Sequence, residues 1–113
     1  MTAQLLIQEQ DDLTALEAIE RLLSDTCAPE VRLQAAFILA ITTQDERALH
    51  ILQESFKTSQ RELREQILLG IASIGSRSSL PFLSQTLDEP SPVLRIRAAN
   101  AILQCLRGKA TSS

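Results

Sequence analysis

Chemistry at a protein surface needs ionisable or nucleophilic side chains held close together, and this chain offers few candidates. His50 is its single histidine, flanked by Leu49 and Ile51. Metal ligation or general acid–base work by an imidazole calls for partner groups nearby, and no second histidine or cysteine lies within one helical turn of it. His50 therefore reads as a solvated surface residue. Glu62 and Glu65, at i and i+3, would share one face of a helix, as a pair of carboxylates working as acid and base must. Arg61 and Arg64 interleave with them, so the segment reads instead as a charged, solvated face. Cys27 and Cys105 show neither a CxxC nor a Cys/His spacing, which predicts reduced thiols rather than a disulfide framework or a zinc site. The chain also lacks a Gly-rich phosphate loop and a G-x-S-x-G nucleophile elbow. The residues predict no catalytic centre, no metal and no cofactor.

Charge narrows the choice of partner. The net charge of −3 conceals a gradient. Residues 1–26 carry six acids and one base, giving −5, whereas residues 91–113 carry Arg95, Arg97, Arg107 and Lys109 with no acid, giving +4. A basic segment can serve nucleic acid or an acidic partner. Four charges without neighbouring aromatics, in an acidic domain, argue against nucleic acid, which asks for a basic one.

The elements that would position these residues are helices. With 44% apolar residues, no Trp or Tyr and only Phe37, Phe56 and Phe82 as aromatics, the core must be built from Leu, Ile and Ala, which favours helices over a β-sandwich. The longest apolar run, Ala35 to Ile41, is seven residues, and a membrane span needs about 20. Acids in the first 25 residues stand where a signal peptide would be basic, so a cytoplasmic protein is expected. Three capping boxes, Thr14-x-x-Glu17, Thr43-x-x-Glu46 and Ser59-x-x-Glu62, would start helices. Pro29 and Ser91-Pro92 fit helix starts, and Gly75 and Gly108 fit helix ends. The punctuation predicts helices over 12–25, 29–42, 44–57, 60–74, 77–88 and 92–107, preceded by the short apolar piece Leu5-Leu6-Ile7.

These helices repeat. The second, fourth and sixth align without gaps at offsets of 32 and 31, matching Val31, Leu63 and Leu94; Arg32, Arg64 and Arg95; Ala35, Ile67 and Ala98; and Leu39, Ile71 and Ile102. The first, third and fifth align at 33 and 31, matching Leu16, Leu49 and Leu80, and Leu23, Phe56 and Leu87. A two-helix unit of this length buries its apolar stripes by packing on its neighbours. The expected fold is all-α, an α-solenoid of about three antiparallel helix pairs, with an up-down bundle as the alternative. The expected organisation is a stub or remnant over 1–10, one domain over 11–108 with units 11–43, 44–75 and 76–108, and a flexible tail over 109–113.

Leu80-Pro81-Phe82-Leu83, Leu87-Asp88, Pro92-Val93-Leu94-Arg95 and Ala98-Ala99-x-Ala101-Ile102 resemble a HEAT repeat of the short, phycobilisome-lyase-like type, as do Asp25, Pro29, Val31-Arg32 and Ala35-Ala36. The resemblance implies a ladder in which an Asp between paired helices meets an Arg of the second helix: Asp25 with Arg32, and Asp88 with Arg95. Lys57 stands where the middle Asp would be, so Arg64 becomes the weak rung and the ladder is interrupted at its centre. HEAT-type metal hydroxylases carry paired His-Glu dipeptides, and this chain has none. HEAT-type DNA glycosylases use aromatics and an acid in a basic groove, whereas this chain has no Trp or Tyr and is net acidic. A role near bilin lyases or pigment proteins is the alternative the resemblance implies; nothing in the residues supports pigment chemistry.

What remains is surface. If Val31, Ala35, Leu39 and Thr42 face the first helix of their unit, Leu33, Phe37 and Ile41 lie roughly 200–280° around the helix and need cover, either from Leu5, Leu6 and Ile7 or from elsewhere. The inner face of the second helices is expected to bind another protein through two rows, Gln34, Gln66 and Arg97 beside Phe37, Leu69 and Asn100. The chain is then a non-enzymatic protein-interaction scaffold, a monomer or part of a longer array.

Overall fold

The computed structural model describes residues 3–24 and 26–107, with only the backbone helix given for residues 3–11. Asp25 and the 108–113 segment, with Gly108, Lys109 and the expected tail, lie outside the described residues. Six α-helices and no strand occur among the described residues: α1 (Ala3–Arg21), α2 (Pro29–Thr43), α3 (Arg47–Phe56), α4 (Arg61–Ile74), α5 (Leu80–Thr86) and α6 (Pro92–Arg107), with a 3-10 turn over Arg77–Ser79 before α5. The fold is all-α, as expected.

Some of the punctuation acts as read. Pro29 opens α2, Ser91 Oγ accepts the Leu94 amide at 3.4 Å at the start of α6, and Gly75 ends α4 in the left-handed region at φ 66°. The three capping boxes do not form. Thr14 sits inside α1, which is continuous from Ala3 through Leu5-Leu6-Ile7; extending a helix through Gln8-Glu9-Gln10 costs far less than nucleating a new one. Thr43 and Ser59 instead turn their hydroxyls back to donate to the Leu39 and Ser55 carbonyls of the preceding helices. The third helix starts later than expected because Gln44 adopts the left-handed conformation, φ 52°, and Asp45 supplies the cap, its Oδ1 accepting the Arg47 amide at 2.9 Å. Pro81 has no N–H with which to close an α-turn onto Arg77, and the chain there winds as a 3-10 turn before α5.

α4 packs between α2 and α6; α3 touches both α2 and α4, α5 lies on α6, and α1 makes its sparser contact with α2. The resulting slab measures 52 × 38 × 20 Å, and its thickness equals two helix diameters of about 10 Å. The core is aliphatic, centred on Leu39, Leu52, Ile67, Leu68, Ile71 and Leu83. Phe56 and Phe82 meet edge to face, with centroids 5.3 Å apart. At Gly70, α4 packs tightly on α3 and α2: a Cβ there would lie 3.1 Å from Leu52 Cδ1 of α3 and 3.4 Å from Phe37 of α2.

Burial along the three long helices α2, α4 and α6 follows the aligned positions and differs systematically between them. At the positions of Val31, Ile38 and Thr42, side chains are exposed or half-buried in α2, whereas Gly70 and Ile74 in α4 and Leu94, Ala101 and Cys105 in α6 are buried, with Leu63 of α4 half-buried. The positions of Leu33, Ala36 and Ala40 run the other way. Those three are buried in α2, while their equivalents Ile96, Ala99 and Leu103 in α6 are exposed. α4 thus presents one face to α2 and the opposite face to α6, while one such face stays exposed on each of α2 and α6.

This corrects the expected facing of α2. Ala35 and Leu39 are buried, but Val31 is 40% exposed and Thr42 is exposed. Leu33 is covered by the core around α3 and α4, Phe37 packs against that core, and Ile41 is 41% exposed. The side chains of Leu5, Leu6 and Ile7 lie outside the described residues.

Candidate functional site

The six expected partner-binding residues all reach the surface to some degree. Gln34, Gln66 and Asn100 are exposed, and Phe37, Leu69 and Arg97 are half-buried. Leu69 and Asn100 come together with Ala72, Ser73 and Gln104 in a groove of about 300 Å³ between α4 and α6. Gln34 lies elsewhere, on the edge of a second groove of about 390 Å³ whose walls are Ile19, Leu22, Val31, Ala35 and Ile38. Phe37 leans onto the core beside Gly70. Of the two anticipated rows, one contributes Leu69 and Asn100 to a groove of mixed polarity, with Phe37 lying apart, and Gln66 and Arg97 of the other do not line that groove.

The α4–α6 groove owes its character to helix spacing. Leu69, Ala72 and Ser73 follow i, i+3, i+4 along α4, and Asn100 and Gln104 follow i, i+4 along α6, so both sets line one seam. Ser73 Oγ donates to the Leu69 carbonyl at 3.0 Å. An apolar floor with an amide rim offers burial and orienting hydrogen bonds together. It contains no ionisable group, so binding rather than proton transfer is the chemistry it can support.

The second groove was missed in the sequence because Val31 was assigned to the α1 interface. The signal that finds it is Ile38, aligned with Gly70 and Ala101. At this position Gly70 and Ala101 are buried against the preceding long helix, whereas Ile38 is half-buried and lines the groove.

The three aligned arginines point to the end of the preceding helix or the loop after it. Arg32 Nε donates to the Leu23 carbonyl at 3.1 Å, and Arg64 Nε to the matching Phe56 carbonyl at 2.9 Å. Arg95 Nη1 reaches the carbonyls of Glu89 and Pro90 at 3.1 and 3.3 Å, so its bonds go to the main chain where the Asp88 carboxylate was expected. The middle position is better connected than Arg95. Arg64 also donates to the Lys57 carbonyl, pairs with Glu89 at 3.0 Å and lies 4.8 Å over the Phe56 ring. Asp25 lies outside the described residues.

Elsewhere the charges are structural. Arg47 holds Asp45 bidentately, at 2.6 Å for the shortest contact, and reaches Glu20 of α1 at 3.3 Å. The hydrogen bond from Arg47 holds the Asp45 carboxyl below its ordinary value, against a smaller opposing effect of burial, and raises Arg47 in turn. His50 is exposed on α3. Cys27 is half-buried and Cys105 buried, both unbridged, with Cys105 Sγ 3.2 Å from Ser79 Oγ. Among the described residues no cluster of three metal-ligating side chains occurs, and no helix is long and apolar enough to cross a membrane. Compared with known proteins, the chain matches no family model and no curated protein.

Proposed function

We propose that the chain is a HEAT-like α-solenoid of three helix pairs that acts as a non-enzymatic protein-interaction module, seating a partner helix on the inner face of its long helices. The observation that carries this reading is the groove of Leu69, Ala72, Ser73, Asn100 and Gln104, which brings together Leu69 and Asn100 of the row Phe37, Leu69 and Asn100. An amphipathic helix laid along that seam would bury apolar side chains on Leu69 and Ala72 and be held in register by Asn100 and Gln104. The Arg-to-carbonyl bonds support the repeat in the first two units, where Arg32 and Arg64 each donate through Nε to the aligned Leu23 and Phe56 carbonyls.

The test compares two variants in pull-downs of bound protein from native lysate across a salt series. Leu69→Glu places a charge in the groove and is expected to reduce capture at least about tenfold. Reversing Arg107 and Lys109 to Glu is expected to leave capture intact. If only the reversal abolishes binding, and the bound material is nuclease-sensitive with a steep salt dependence, the chain binds nucleic acid and the proposal fails.

A further inference from the structure

Among the described residues, the two ends of the α2–α4–α6 series carry faces without a packing partner, and these faces match each other. At the leading end, Val31, Ala35 and Ile38 of α2, with Ile19 and Leu22, line the 390 Å³ apolar groove. The same aligned positions in α4 and α6 receive the preceding long helix. At the trailing end, α6 exposes Ile96 (68%), Leu103 (48%) and Leu106 (48%). The corresponding positions of α2, Leu33 and Ala40, are buried where that helix meets the next. The molecule therefore makes the same joint twice internally, α2 on α4 and α4 on α6, and leaves one half of a third joint at each end.

Charge selects the occupant. The leading end carries Asp12 and Glu17 on α1, within the 1–26 segment of net charge −5, and Glu30 on the groove, while Glu20 is paired with Arg47. The trailing helix carries Arg95, Arg97 and Arg107 within a segment of +4. Pairing two leading ends, or two trailing ends, would set like charges against each other, whereas leading-to-trailing contact pairs opposite ones.

We propose that the chain self-associates head to tail, the outer face of α6 in one copy docking into the α1–α2 groove of the next and repeating the internal α2–α4 and α4–α6 joint between molecules. Such a contact is heterologous and grows into a ring or an open filament rather than closing as a two-fold dimer. Its α6 face adjoins the Leu69–Asn100 groove at Asn100, but its α1–α2 groove lies apart from it, so Val31→Arg tests self-association independently of Leu69→Glu.

Sedimentation equilibrium of the full chain over a concentration series, at low and at physiological salt, reads this directly. The average mass is expected to rise with concentration past two chains, and less so at the higher salt. Val31→Arg blocks the leading face and Leu103→Glu the trailing face. Both side chains are exposed in the single chain, so the helical circular dichroism of each variant should match the parent. Each variant alone is expected to associate at least about tenfold more weakly. An equimolar mixture is expected to form a complex of two chains and nothing larger, because one intact face of each kind remains. A parent that stays monomeric to millimolar concentration overturns the proposal. So does a dimer lost in one variant and kept in the other, or a mixture that forms no complex.

Discussion

At the scale of single residues, Arg64 is the side chain on which the two readings of the chain differ most. Sequence reasoning looked for its anion seven positions upstream, found Lys57 and ranked it below Arg95. Its carboxylate is Glu89, 25 residues downstream in the loop before α6, a partner that only the packing of α4 against α6 brings near. Arg64 and Glu89 are each 27% exposed, so losing that pair, two carbonyl acceptors and the Phe56 stacking together should cost about 2 kcal/mol for Arg64→Ala. Arg95 is an exposed residue whose bonds are to carbonyls alone, and Arg95→Ala should cost under about 1 kcal/mol. Chemical denaturation of the two variants ranks them. A larger loss for Arg95→Ala would restore the Asp88 pairing and remove the role assigned to Glu89. The alignment of the arginines was legible because it needs only the period; their partners were not, because a long-range anion leaves no local trace.

At the scale of elements, the number and order of the helices were readable, and Pro29, Gly75 and Ser91-Pro92 act as expected because each is limited by its own backbone chemistry. The hydroxyl-x-x-Glu patterns misled, since Thr and Ser can as readily donate back to a carbonyl four residues earlier, as Thr43 and Ser59 do. The true cap of α3 is Asp45. Its carboxyl is held below the ordinary value of 3.8 chiefly by the hydrogen bond from Arg47. A depressed native value means the ionised form is favoured by folding. The stabilisation is therefore complete above about pH 5 and is lost as pH falls through the unfolded and then the native value. Asp45→Asn keeps an oxygen for the Arg47 amide but loses the charge. It should be less stable than the parent by under about 1 kcal/mol at neutral pH, and the two denaturation curves should converge in acid. A gap that stays constant down to about pH 2 would show that the ion pair contributes nothing.

At the scale of the whole molecule, the burial pattern ties sequence to architecture more tightly than any motif. Ile38, Gly70 and Ala101 occupy one aligned position, and only Gly70 and Ala101 are buried, because each lies where a long helix meets the one before it. The repeat was visible in the sequence. Which face of α2 each residue would occupy was not, since Val31 and Leu33 are both apolar and only the neighbours decide between them. The central claim is that consecutive helix pairs add in one register, each joint independent of the chain's length. Inserting a second copy of residues 44–75 directly after residue 75 tests it most directly. The new joint would set Leu68, Leu69 and Ala72 of one copy against Leu63, Ile67 and Gly70 of the next, a combination of faces already used in the parent. If joints add, the lengthened chain unfolds in one cooperative step at a denaturant midpoint no lower than the parent's, with a larger m-value for the extra surface buried. A chain that aggregates, unfolds at a lower midpoint or separates into two transitions would mean that the six helices form a closed core specific to this length, contradicting the account.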